Sequence, residues 1–142
     1  MAILLSPEQI DRLEAKIGAV ERLTTAELRI AVARPSWLGI RRKARKLFEQ
    51  HGLSATPDRN AVLVVVDPKS HELLIYGDEG ISSRTSEHFW DDVRDAMIAE
   101  LREGRMADAL SLGIRLLGEE LSRLFPSNGS REGAHSNAII FE

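Results

Sequence analysis

A chain of 142 residues is about one domain in length and long enough to bury one hydrophobic core without covalent staples. It contains no cysteine, which excludes disulfide frameworks, thiolate zinc sites, iron–sulfur clusters and cysteine nucleophiles. A formal net charge of −3 argues against nucleic acid as a partner, and no apolar run approaches the ~20 residues of a membrane span. With no basic leader ahead of Ser6, the chain is expected to be cytoplasmic.

The first helix is announced by Ser6 as N-cap, Pro7 at the first helical position and Gln9 three residues after the cap. Ile10, Leu13, Ile17, Val20 and Leu23 then form one apolar stripe, ended by Thr24 and Thr25. Leu28, Ile30 and Val32 alternate as a short strand that stops before Pro35. A second helix is predicted from Trp37 to His51, burying Ile40, Ala44, Leu47 and Phe48, with Gly52 just past its end. Pro57-Asp58-Arg59-Asn60 reads as a turn into Ala61–Val66, whose unbroken apolar run marks a central strand covered on both faces.

Asp67–His71 is a turn of hairpin length leading to a third strand, Glu72–Tyr76, and Gly77–Gly80 breaks that strand. Two helices follow. One runs from about Ser83 to Arg102 over Phe89, Val93, Met97 and Leu101. The other runs from about Met106 to Phe125 over Leu110, Ile114, Leu117, Leu121 and Leu124. The domain is expected to close near residue 126, leaving 127–142 as a mobile tail in which Ile139-Ile140-Phe141 has the character to dock.

The order α-β-α-β-β-α-α makes the first two strands parallel, joined by a right-handed crossover, and the last two antiparallel. Helices on both faces complete an α/β/α sandwich around a small mixed sheet. This connectivity brings the starts of strands one and two and the end of strand three to one end of the sheet. Thr25 and Glu27, Arg59 and Asn60, and Asp78 to Gly80 meet there. Glu27, Asn60, Asp78 and Glu79 are hard oxygen donors of the kind Ca²⁺ or Mg²⁺ takes. An ion pair from Arg59 to Glu27 or Asp78, fixing the strand ends without a ligand, is the competing reading.

Other motifs are sparse. There is no dinucleotide fingerprint, Walker loop, His-Glu-x-x-His or nucleophile elbow, and the four histidines share no ligand spacing. Arg29 to Lys46 holds seven basic residues and no acidic one, while Asp78 to Glu103 holds eight acidic against three basic. Each is either a solvated helix face or half of a protein-interaction surface. Trp90 is expected to pack, and Trp37 to be partly exposed.

Thr25-x-Glu27-Leu28-Arg29-Ile30-x-Val32, Arg59-Asn60-Ala61-Val62-Leu63, Gly77-Asp78-Glu79-Gly80-Ile81, Arg102-Glu103-Gly104 and Gly113-Ile114 together resemble the TPM domain over about residues 7 to 126. That family includes thylakoid-lumen photosystem-repair proteins, bacterial relatives and a nematode receptor modulator. The resemblance implies an α/β/α sandwich, a divalent-cation site, chiefly for Ca²⁺, in an acidic cleft, and an acid phosphatase activity in some plant members. The family's marked positions fall on Thr25, Glu27, Arg59, Asn60, Asp78 and Gly80. Two departures stand out: the export signal and membrane anchor of many relatives are not seen, and Glu79 stands where relatives often have lysine.

The function expected from all this is a non-enzymatic binding module with a weak Ca²⁺ or Mg²⁺ site formed by Glu27, Asp78, Asn60 and Glu79, and with a protein partner. No organic cofactor is expected. The alternatives are a metal-assisted phosphatase in which Arg59 clamps a phosphoryl oxygen, and a ligand-free protein-interaction adaptor.

Overall fold

The computed structural model describes residues 5–129 and 138–142. In chain order the elements are helix α1 (Pro7–Leu23), strand β1 (Glu27–Val32), helix α2 (Ile40–Gln50), a single 3₁₀ turn (Leu53–Ala55), strands β2 (Ala61–Asp67) and β3 (Glu72–Gly77), the short helix α3 (Glu79–Ser82), helices α4 (Glu87–Arg102) and α5 (Met106–Leu124), and strand β4 (Ile139–Phe141).

Ser6 caps α1 through a complete capping box: its hydroxyl accepts from the Gln9 N–H at 3.1 Å and the Gln9 side chain accepts from the Ser6 N–H at 2.8 Å. The sheet order is β3-β2-β1-β4. β1 runs parallel to β2 from Glu27↔Ala61 to Val32↔Val66, and β2 runs antiparallel to β3. The α/β/α sandwich with a mixed sheet is therefore the fold.

All seven residues of β2 are buried, as a strand covered on both faces requires. Val62, Val64 and Val66 pack with Leu28, Ile30 and Leu73 beneath α1, α4 and α5. On the opposite face, Leu63 and Val65 pack against Ala44, Leu47 and Phe48 of α2 and Leu53 of the 3₁₀ turn. Each fully buried aliphatic side chain is worth about 1.5–3 kcal/mol relative to exposure, which makes β2 the strand that joins the two cores. Among the described residues, no helix is long and apolar enough to cross a membrane.

Four expectations need correction. The second helix begins at Ile40 rather than Trp37, because Gly39 sits at φ 96°, a backbone conformation outside the helical region, and serves as N-cap. The helix expected from Ser83 starts at Glu87, where Ser86 caps it by accepting from the Phe89 N–H at 3.2 Å; a separate turn, α3, precedes it. The second and third strands each extend one residue further than expected, to Asp67 and to Gly77, which pairs with Val62 rather than breaking the strand. Of the segment assigned to a tail, residues 130–137 lie outside the described residues, while Ile139–Phe141 form β4, parallel to β1.

Candidate functional site

The end of the sheet singled out by connectivity is assembled from the turn before β2, the end of β3 and α3. Among the described residues, Arg59 is one of two non-glycine residues with a left-handed backbone, at φ 50°. That conformation costs roughly 1 kcal/mol for an ordinary residue and is held here by its surroundings. Gly80 is the main constraint. Its N–H donates to the Arg59 carbonyl at 2.8 Å, and a Cβ at Gly80 would lie 2.1 Å from the Asp58 carbonyl oxygen and 2.5 Å from that of Arg59. Only glycine lets the two loops approach this closely.

The approach sets Arg59 against Asp78. The guanidinium forks onto the carboxylate, Nε to Oδ2 at 2.8 Å and Nη2 to Oδ1 at 2.9 Å, a bidentate charge-assisted pair. Asp78 is also the N-cap of α3, its Oδ1 accepting the Glu79 N–H at 2.8 Å. Glu79 adds an outer contact, Oε1 to Arg59 Nη1 at 3.2 Å. Asp78 is 7% exposed, whereas the Arg59 side chain is 46% exposed. The Arg59 guanidinium is held above its ordinary value, first by its hydrogen bond to Asp78 and then by the Asp78 charge; desolvation opposes this, and the Glu79 charge adds a smaller contribution.

Asn60 is buried and points its amide at the Thr25 hydroxyl, Nδ2 to Oγ1 at 3.3 Å, while its backbone N–H is held by the Thr56 hydroxyl. Glu27 is engaged by Arg29, Oε2 to Nη2 at 3.2 Å. Arg29 in turn reaches the fully buried Glu21 at 2.7 Å. Thus Arg59, Asp78, Glu79 and Gly80 form one unit, Asn60 and Thr25 a second contact, and Glu27 belongs to the Arg29 network. Thr25 and Gly80 also line a hollow of about 470 Å³ with Asp58, Ser83 and Arg84. The Arg84 guanidinium there lies 4.8 Å from the centre of the Phe125 ring. Among the described residues, no three carboxylate or imidazole side chains converge as metal ligands.

Sequence reasoning missed Glu21. The signal was available, since Glu21 lies four residues beyond Ile17 on the apolar stripe of α1. Its Oε2 accepts from the Leu28 N–H at 3.0 Å and from Arg29, so a buried charge orients the start of β1.

The TPM domain model matches residues 1–120. The chain belongs to the TPM domain family. In structure it is similar to the BA42 protein of the psychrophilic bacterium Bizionia argentinensis, with a TM-score of 0.91 and 26% identity over 100% of this chain and 98% of that one. It is also similar to the N-terminal domain of a protein from P. gingivalis, with a TM-score of 0.71 and 21% identity over 93% of this chain and 82% of that one. The N-terminal domain of the cg2496 protein from Corynebacterium glutamicum gives a TM-score of 0.63 and 16% identity, over 92% and 81%. The last two likenesses concern the fold alone. No curated protein matches the chain.

Proposed function

We propose that this TPM domain is a non-enzymatic binding and accessory module acting in the cytoplasm rather than a phosphate-ester hydrolase. One observation carries the reading: both oxygens of Asp78, the most buried carboxylate of the candidate site, are taken up by the Arg59 fork and the Glu79 N–H. A carboxylate so engaged is a poor nucleophile or base, and the guanidinium that would clamp a phosphoryl oxygen is already committed.

The cation reading takes a specific form under this proposal. Ca²⁺ or Mg²⁺ enters by exchanging with Arg59, taking the Asp78 and Glu79 carboxylates that the guanidinium now bridges. With so few charged ligands the dissociation constant falls at roughly 10⁻⁴–10⁻³ M.

The test is a thermal-melt titration of chelator-stripped protein with each ion, using wild type, Asp78→Asn and Arg59→Gln. Mass action raises the melting temperature of a native-state binder with ion concentration. The expected pattern is a rise in wild type, its loss in Asp78→Asn, and a rise at lower ion concentration in Arg59→Gln, where the competitor is gone. If neither ion moves wild type or Arg59→Gln, the pair is purely structural and the cation reading falls. Turnover of a generic phosphate ester that disappears in Asp78→Asn would overturn the non-enzymatic reading itself.

A further inference from the structure

The lateral edge of the sheet formed by β3 is built differently from an ordinary protected edge. Asp78 donates its N–H to the Ala61 carbonyl at 3.0 Å. Given the register Val62↔Gly77 through Asp67↔Glu72, this sets the alternation of the antiparallel ladder. Tyr76, Leu74 and Glu72 bond to β2, and Gly77, Ile75 and Leu73 turn their backbone groups to the open side. The strand is six residues long, Glu-Leu-Leu-Ile-Tyr-Gly, without the lysine or proline that usually blunts an edge.

This open strand lies at the base of a continuous groove. A hollow of about 400 Å³ lies beside Tyr76 and Gly77, walled by Trp90, Asp91 and Arg94 of α4. A second, of about 560 Å³, lies beside His71 to Leu74, walled by Arg94, Ile98 and Arg102. Arg41 of α2, Leu74 and Arg94 line both, so the two hollows join at mid-strand. Two cations therefore meet the middle of the groove from opposite walls. Arg94 has a buried Nε with no hydrogen-bond partner, although its Nη2 touches Asp95 at 3.2 Å. Arg41 is exposed and has no ion pair among the described residues.

We propose that this groove binds an extended peptide segment of a partner protein, which adds a fifth strand along β3 and carries two consecutive acidic residues at its centre. Main-chain bonds to Leu73, Ile75 and Gly77 supply affinity, and alternating side chains supply specificity. Consecutive residues of a strand point to opposite faces, so one carboxylate meets Arg41 on the α2 side and the next meets Arg94 on the α4 side. Glu87 and Asp91 at one end of the groove, and Glu72 and Asp95 at the other, confine the acidic pair to the middle and favour apolar flanks. A second copy is a poorer occupant. Its own β3 has no acidic pair, and two-fold pairing would bring the Arg41 and Arg94 side chains of both copies toward one axis. This surface is separate from the Arg59–Asp78 unit, so either reading can fail without the other.

The experiment is selection of displayed random ten-residue peptides on the full chain, with recovered peptides synthesised and titrated against ¹⁵N-labelled protein. Convergence is expected on two adjacent acidic residues flanked by β-branched or aromatic ones, with the amide signals of Leu73, Ile75 and Gly77 shifting most. Arg41→Glu and Arg94→Glu should each weaken binding about tenfold or more. Ile75→Pro, which removes an outward-facing N–H without touching the β2 ladder, should abolish it. Since Ile75→Pro also disturbs packing, Arg41→Glu on the exposed helix face keeps the test decisive. Recovery of no binder, or binders indifferent to both arginine reversals, overturns the proposal. So does a concentration-dependent dimer of the free protein whose contacts map to β3.

Discussion

The two lateral edges of the sheet solve the same problem in opposite ways. The β4 edge is three residues long and clamped at its end by charge. Both Glu142 carboxylate oxygens lie 2.8 Å from Lys43 Nζ, one of them also accepts the Arg34 backbone N–H at 2.8 Å, and the Glu142 N–H donates to the Val32 carbonyl. The β3 edge is twice as long, largely apolar, and flanked by grooves and by two arginines: Arg94, which touches Asp95 at 3.2 Å but keeps a buried Nε without a partner, and Arg41, which has no ion pair among the described residues. A short edge clamped by side chains leaves little backbone to pair, whereas a long edge with open backbone is either a hazard or a binding surface. The hydrophobic cores do not distinguish the two; only what borders each edge does.

The largest expected effect breaks the β3 side at its root. Gly80→Val places side-chain carbon inside the Asp58 and Arg59 carbonyls, so the α3 turn must part from the loop before β2. A loss of roughly 3 kcal/mol or more is expected, read as a lower denaturant midpoint with an unchanged slope. The amides of β4 should keep their order of protection relative to one another, because the insult lies at the far side of the sheet. Loss confined to β4 would contradict the separation of the two edges.

A smaller effect sharpens the contrast. Glu142→Gln removes the charge clamp from a pair whose side chains are both partly exposed, so no more than about 1 kcal/mol is expected. The readout is local: hydrogen exchange should quicken at Ile139–Phe141 and stay unchanged along β3. Equal quickening on both edges would show that the clamp supports the whole sheet.

The smallest effect is the pH dependence of that clamp. Burial pushes the Glu142 carboxyl up, but the Lys43 and Arg34 hydrogen bonds and charges outweigh it, and the group ends below its ordinary value. A lowered folded-state pKa contributes stability that is present above the unfolded value, about 4.3 for glutamate, and is lost as pH falls through the folded value. The β4 amides should therefore lose protection selectively below about pH 4.5, and Glu142→Gln should remove that dependence. A selective loss between pH 6 and 8 would point to a different group.

Much of the candidate site was legible because chain order alone forces it. A parallel pair followed by a hairpin must bring the residues before β1 and β2 and after β3 to one end, and Asp78, Arg59 and Gly80 are found there together. What could not be read was which carboxylate Arg59 would choose. Glu27 stood as close in topology as Asp78, but Glu27 lies within reach of Arg29, two residues along its own strand, and Arg29 is anchored by buried Glu21. The groove along β3 was invisible for a related reason. Trp90 reads as a packing residue, and it does press its ring to 3.1 Å from where a Gly77 Cβ would be, but nothing in its spacing reveals the hollow beside it.

By itself the sequence determined the periodicities: the apolar stripes of α1, α4 and α5, the unbroken run of β2, the hairpin turn, and from these the sandwich and its layers. Periodicity is local, so it is written within a few turns of chain. Only the tertiary structure decided that Ile139–Phe141 would pair with β1, that α4 would begin at Glu87, that Asp78 would take both arms of Arg59, and that β3 would be left open. Those outcomes depend on which groups meet across tens of residues, and on which polar atoms are already satisfied when they do.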